Sequence, residues 1–297
     1  MRTIERRRRA VLQLKNIIVA TDFQRHSRAA LNYAAMLARR FGARLEVVHA
    51  VPLAGELLVP GVRRSSGYLG RRTLSQRLMR SLALVPSLAG LRHAERVLEG
   101  EASDVVNRAA TRAKADLLVI GTSARVGMGR ILLGSVAEEI LRTANCPVLV
   151  IGPKVRRLRQ VSLDRILFAT DLSSNSLVAA PHAFALATNR RARLTLLRAV
   201  HPDIRSASER IRIRREQTEG MRALLPRPLL SRTRLVVSFR HPAEAVLRVA
   251  RRSGCNLIVM GVRGGGALPR ALTHLPGSTA CAVIAGSTCP VLTVRRR

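Results

Sequence analysis

The chain has no tryptophan, two tyrosines and five phenylalanines, so aromatic residues fill only 2% of its 297 positions. Proteins that read unpaired bases depend on aromatic platforms for stacking, and a chain this poor in them is not built for that mode. Lysine is nearly missing as well: Lys15, Lys114 and Lys154 are the only ones among 52 basic residues. Acidic side chains number 18, which leaves a formal charge of +34. Such an excess fits either a polyanionic partner or a genome that supplies arginine wherever a surface charge is wanted, and the scarcity of lysine favours the second. Nucleic-acid contact stays open as a minor reading resting on charge alone. No apolar run approaches the roughly 18 residues of a membrane span, so no membrane partner is expected. The four cysteines, Cys146, Cys255, Cys281 and Cys289, form no Cys-x-x-Cys pair and no metal spacing with histidine. That usage suits reduced thiols in a cytoplasm. The basic stretch 2–9 is followed by a segment broken by Gln13, Lys15 and Asn16, which makes a poor signal peptide; residues 1–14 read as a solvated basic arm.

What the chain does have is length for two domains, 47% hydrophobic residues to fill a core in each, and an internal repeat. NIIVATD at 16–22 recurs as RILFATD at 165–171, and RLEVVHAV at 44–51 recurs as RLTLLRAV at 193–200, both at an offset of 149. ADLLVIG at 115–121 returns as CNLIVMG at 255–261, and CPVLV at 146–150 as CPVLT at 289–293. Four matched blocks in one order define a duplication, with domains at 15–152 and 163–297 joined by a Pro- and Arg-containing linker at 153–162. The runs 17–20, 45–50, 117–120 and 148–151 are short, continuous and rich in Val, Ile and Leu, the pattern of strands covered on both faces. Between them, 28–40 and 103–114 carry helical periodicity, echoed by 242–252 in the second half, which opens on a proline. Alternating strands and helices predict an α/β fold: two tandem Rossmann-like doubly wound domains, each with a mostly parallel sheet of about five strands.

Ligands of such sheets sit beyond the carboxyl ends of the strands. Two features fall there. Thr21-Asp22 follows the first strand and is repeated as Thr170-Asp171; the carboxylate either caps the next helix or accepts from a ribose hydroxyl. Residues 121–136 run from the fourth strand into a helix at 136–142 with Gly134-Ser135 at its start, where free N–H groups and the positive dipole end attract anions. The segment lacks the Gly-Lys-Ser/Thr of a Walker loop, and a flexible loop ending in a serine cap is the plain alternative.

The order Ala-Thr-Asp, Val-His-Ala, Ile-Gly-Thr-Ser, Leu-Leu-Gly-Ser-Val-Ala-Glu-Glu-Ile-Leu-Arg and Cys-Pro-Val-Leu-Val resembles the universal stress protein (UspA-type) family in its tandem form, over nearly the whole chain except 52–92 and 202–233. The resemblance implies a non-catalytic stress-response protein that binds an adenine nucleotide, ATP with Mg or Mn where a cation accompanies it, hydrolysed slowly if at all. The pattern of ATP-binding members, Gly-x2-Gly-x9-Gly-Ser/Thr, places Gly121 first, Ala124 second and Gly134-Ser135 last. An alanine where positive φ is needed costs about 1 kcal/mol and brings a methyl toward the phosphates. By the same carry-over Ala20, Thr21, Asp22 and Ala50 surround adenine and ribose, Ile120 lies beside the nucleotide, and Ser135 with Val136 meets the phosphates. The second half keeps Thr170, Asp171, Met260, Gly261 and Gly264, but Gly277-Ser278 arrives three residues late, so it is the weaker site. The resemblance also implies dimer-like packing within one chain, the strands 148–151 and 291–294 pairing, or a homodimer. An ATP-independent interaction module of the same fold is the alternative from a different functional class. His49, the Glu138-Glu139 pair and the cysteines suggest packing or capping, and no catalytic or metal-binding set emerges.

Overall fold

The computed structural model describes residues 14–51, 80, 85–123, 125–127, 130–155, 161–188, 192–200, 203–204, 206–262 and 279–296. In the first half the strands are β1 (Asn16–Ala20), β2 (Arg44–Val51), β3 (His93–Glu99), β4 (Leu117–Gly121) and β7 (Val148–Ile151), with a small ribbon of β5 (Arg125–Gly127) and β6 (Arg130–Leu132) after β4. In the second half they are β8 (Arg165–Ala169), β9 (Arg193–Ala199), β10 (Thr233–Ser238), β11 (Leu257–Val262) and β12 (Val291–Arg295). The helices are α1 (Arg25–Phe41), α2 (Ala102–Arg112), α3 (Ser135–Thr143), α4 (Ser174–Leu177), α5 (Ala180–Ala187), α6 (Ala207–Leu224), α7 (Pro242–Arg252) and α8 (Thr279–Gly286).

The ten long strands form one sheet in the order β10-β9-β8-β11-β12-β7-β4-β1-β2-β3. Each half contributes five parallel strands, as the repeat and the continuous apolar runs predict, and the halves meet where β12 and β7 pair antiparallel, Val291 opposite Val150 and Thr293 opposite Val148. The expected pairing of the two C-terminal strands therefore takes place inside one chain. The hydroxyl of Thr293 adds a bond to the Val148 carbonyl at 3.1 Å, and Arg295 donates to the carbonyls of Ala144 and Thr143 and to Asn145 Oδ1, all across the seam.

Side chains alternate across the sheet with the period of two that a strand dictates. Ile17 and Val19 point to a core shared with α1, α5 and the Met221 end of α6, while Ile18 points to a second core under α2, α3, α7 and α8. Both cores run through both halves, so the molecule is three layers, helix on sheet on helix. The alanines 30, 34, 35 and 38 of α1 are buried against the strands, which lets this helix lie close to the sheet. Asp116 Oδ2 accepts from the backbone N–H of Lys15 and Asn16, tying the start of β1 to that of β4. Asn256 does the same for Arg165 in the second half.

Helix α1 starts three residues before the apolar period does, because its first turn, Arg25-His26-Ser27, is held by the preceding loop and not by burial of large side chains. Helix α6 has no counterpart in the periodicity: Met221 is its one buried residue, so there was no apolar stripe to find.

Candidate functional site

In each half the strand order reverses beside the first strand: β2 lies on one side of β1 and β4 on the other, as β9 and β11 flank β8. That is the switch point where an open α/β sheet leaves a crevice. The loops after β1 and β4 open into it.

After β1 the chain turns sharply. Phe23 has φ 61°, a left-handed conformation unusual for a bulky residue, and its counterpart Leu172 has φ 63°. The turn is over-determined by hydroxyls. Thr21 Oγ1 accepts the Phe23 N–H at 3.1 Å and lies 3.2 Å from Ser27 Oγ, and Ser27 in turn donates to Asp22 Oδ1 at 2.5 Å. Gln24 N–H also bonds Asp22 Oδ1, at 2.9 Å. Asp22 Oδ1 thus closes the turn ahead of α1 and caps none of the helix N–H groups, while Oδ2 has no donor among the described residues and the side chain is exposed. His49 at the end of β2 donates from Nδ1 to the Thr21 carbonyl at 2.7 Å and meets the Phe23 ring edge-on, centroids 4.9 Å apart. It packs and orients this turn, as its strand-end position suggested.

After β4 the position of each predicted residue is specific. Gly121 is fixed by packing: a Cβ there would stand 2.3 Å from the carbonyl oxygen of His26 and 2.8 Å from the Ser27 nitrogen. Gly261 repeats this against Asn175 and Ser176, with its Cβ 2.2 Å from the Asn175 oxygen. The strand-end glycines thus let the first turn of the neighbouring helix lie against the strand. Gly134 differs, since among the described residues its Cβ would meet nothing closer than Thr122 Oγ1 at 4.0 Å. Its N–H donates to that hydroxyl at 3.3 Å, which moors the start of α3 to the end of β4. As the residue before α3, Gly134 supplies no side-chain cap, and Ser135 and Val136 are exposed behind it. No side chain caps the opening N–H groups of α3 among the described residues, and Glu138, the acidic residue of that turn, has its Oε1 occupied by the Leu133 N–H at 3.0 Å.

Of the predicted first-half set, Asp22, Ser135 and Val136 are exposed, and Ala20, Ala50, Gly121 and Gly134 are half-buried. Thr21 and Ile120 are buried, Thr21 as the pin of the turn and Ile120 in the second core, and Ala124 lies outside the described residues. The residues that organise this end without having been singled out are Ser27, Thr122 and the left-handed Phe23. Extending the 149 offset by five residues, from Asp22 to Ser27 and from Asp171 to Ser176, would have found the hydroxyl pair.

The second half reproduces the turn with different edges. Thr170 Oγ1 lies 2.8 Å from Ser176 Oγ and accepts the Leu172 N–H at 2.9 Å. Asp171 Oδ1 accepts from Ser173 N and Oγ. Partial burial pushes the Asp171 carboxyl up, but the bonds from Ser173 and Ser176 and the nearby charge of Arg198 outweigh it and hold it down at about 2. Arg198 occupies the place of His49 and is bound to Gln217 Oε1 of α6 at 2.9 Å. Met260 is buried, and Gly264, Gly277 and Ser278 lie outside the described residues, as does the arm through residue 13. Among the described residues no group of three or more His, Cys, Asp or Glu is placed to hold a metal ion, and no helix is long and apolar enough to cross a membrane.

Two doubly wound units sharing one sheet, each with a hydroxyl-pinned Thr-Asp turn at its switch point, define a duplicated α/β protein of the Rossmann-like kind with crevices at its strand ends. The chain belongs to the universal stress protein family, whose model matches residues 13–152 and again 162–295. A universal stress protein of Methanocaldococcus jannaschii is 33% identical over 140 residues, covering 46% of this chain and 81% of that protein. One from Thermus aquaticus is 34% identical over 139 residues, 46% of this chain and 98% of its own length. Among solved structures, a universal stress protein from Archaeoglobus fulgidus DSM 4304 shares the fold with a TM-score of 0.71 at 20% identity, over 96% of this chain and 100% of that one.

Proposed function

We propose that the first half binds an adenine nucleotide, ATP foremost, and that the chain serves a stress response as a non-catalytic binder in the cytoplasm. The observation that carries this reading is the start of α3: a helix N-terminus that, among the described residues, has no side-chain cap and is preceded by a glycine with free space beside it, moored to the strand next to the switch point. Such an end offers N–H donors and positive potential to phosphate. Asp22, just past the end of β1 on the strand paired with β4, keeps Oδ2 as the acceptor for a ribose hydroxyl. Mg or Mn would arrive on the phosphates, because the acidic groups here are dispersed. The second half is assigned a supporting role, with Arg198 drawing on Asp171 where the first half has His49 packed on the turn.

Isothermal titration of the full chain with MgATP tests this. One site per chain is expected, and Gly134→Trp, which fills the free space, should abolish it while leaving the fold intact. A folded wild-type protein that takes up no nucleotide at millimolar concentration, or a Gly134→Trp variant of unchanged affinity, sinks the assignment.

A further inference from the structure

The arginines that are scattered in the sequence are partly gathered by the fold. Helix α6 lies across β9 and β10 at one end of the sheet, its contact with the core reduced to Met221 and the half-buried positions of its inner side. Its outer side forms an open groove of about 540 Å³ lined by Arg210, Arg214, Arg215, Thr218 and Arg222, with the exposed Ile211 among them. The acidic residue in this lining, Glu219, is paired with Arg215 at 3.2 Å. Phe239, just after β10, is covered by two of the arginines: the guanidinium carbons of Arg210 and Arg214 lie 5.3 and 5.8 Å from its ring centroid. The ring thereby orients cations, and its face is not free to stack on a base. Arg210 is further fixed by a bond to the Ile204 carbonyl at 2.6 Å.

We infer that this face of α6 is a sequence-independent docking surface for the phosphate backbone of duplex nucleic acid. Guanidinium groups match phosphate oxygens with paired N–H donors, and Arg210, Arg214 and Arg222, the three of this lining not paired with Glu219, make a row along one helix face and not a point. From Arg210 to Arg222 the helix rises about 18 Å, a length over which one strand of a duplex presents about five phosphates at about 3.4 Å each. With Phe239 capped by arginines, the surface reads charge spacing and not bases. The surface lies in the second half, apart from the α3 crevice, so it stands whether or not nucleotide binds there.

The test is fluorescence anisotropy of the full chain with a labelled 20-base-pair duplex across a salt series. Three phosphate contacts predict a slope of log affinity on log salt near −2.7, hence about a 40-fold loss between 50 and 200 mM. Reversing two contacts, Arg214→Glu with Arg222→Glu, should bring the slope to about −0.9 or shallower and cost roughly 60-fold or more at 100 mM. Lysine at both positions should restore most of the slope. A matched control, Arg248→Glu with Arg252→Glu, reverses two exposed arginines of α7 and should cost far less. The proposal is overturned if the control loses as much as the α6 pair, if the α6 pair binds like the wild type, or if the wild type does not bind duplex at 50 mM. Binding only to anionic phospholipid vesicles, or only to inorganic polyphosphate, also overturns it.

Discussion

Exchanging single glycines for alanine separates what holds this fold from what is open to a ligand. At Gly121 the added methyl carbon would lie 2.3 Å from the His26 carbonyl oxygen and 2.5 Å from its carbon, both backbone atoms of the first turn of α1. Neither can rotate away, so α1 must move off β4 or the hydroxyl-pinned turn must open, and overpacking of this kind costs about 1–3 kcal/mol. At Gly134 the same carbon meets Thr122 Oγ1 at 4.0 Å and nothing nearer among the described residues, and φ there is −60°, a value any residue adopts. The expected cost is about 0.5 kcal/mol, the modest preference for glycine over alanine before a helix. Urea denaturation followed by circular dichroism reads both. Gly121→Ala should lower the midpoint clearly at an unchanged slope, Gly134→Ala hardly at all, and Gly261→Ala should behave like Gly121→Ala because its Cβ would stand 2.2 Å from the Asn175 oxygen. Equal stability of the Gly121 and Gly134 variants would refute the close-approach argument and return Gly121 to a ligand role.

Arg295→Ala removes three bonds that cross from the second half to the carboxyl end of α3, and about 1–2 kcal/mol of stability should go with them; Arg295→Lys should recover part, as thermal melting will show. Asp171, held down at about 2 from the model-peptide value of 3.8, contributes stability that is complete above pH 4 and fades as pH falls toward 2. Asp171→Asn should flatten that part of the acid limb, and a carboxyl carbon titration by NMR should show Asp171 protonating at about 2. Val291→Pro, which deletes a backbone donor in the seam with β7, should weaken the union of the halves and broaden the melting transition into two.

Much of this architecture is legible from the chain itself. The 149-residue echo announces the duplication, the unbroken Val, Ile and Leu runs announce parallel strands buried on both faces, and Cys-Pro-Val-Leu at both C-terminal strands points to the seam that β7 and β12 form. What escapes is whatever leaves no apolar period. Helix α6 rests on one buried methionine, and α1 gains its first turn from Ser27 and Asp22, whose pairing is visible only once the chain has folded back. At the site the pattern of residue types was legible but not the division of labour. Glycine at 121 and glycine at 134 look alike as letters, and only the atoms facing them show that one accommodates α1 and the other leaves space. The charge followed the same course, since the periodicity of Arg210, Arg214 and Arg222 acquires meaning only when β9 and β10 carry that helix with its other side inward.

The most direct test of the central assignment is a crystal structure of the full chain soaked with MgATP. The account predicts the phosphates on the N–H groups of Ser135 and Val136 at the start of α3, the ribose near Asp22, and the Thr170–Asp171 turn of the second half unchanged. A nucleotide bound elsewhere, or a crevice beside α3 that stays empty at saturating nucleotide, would contradict it.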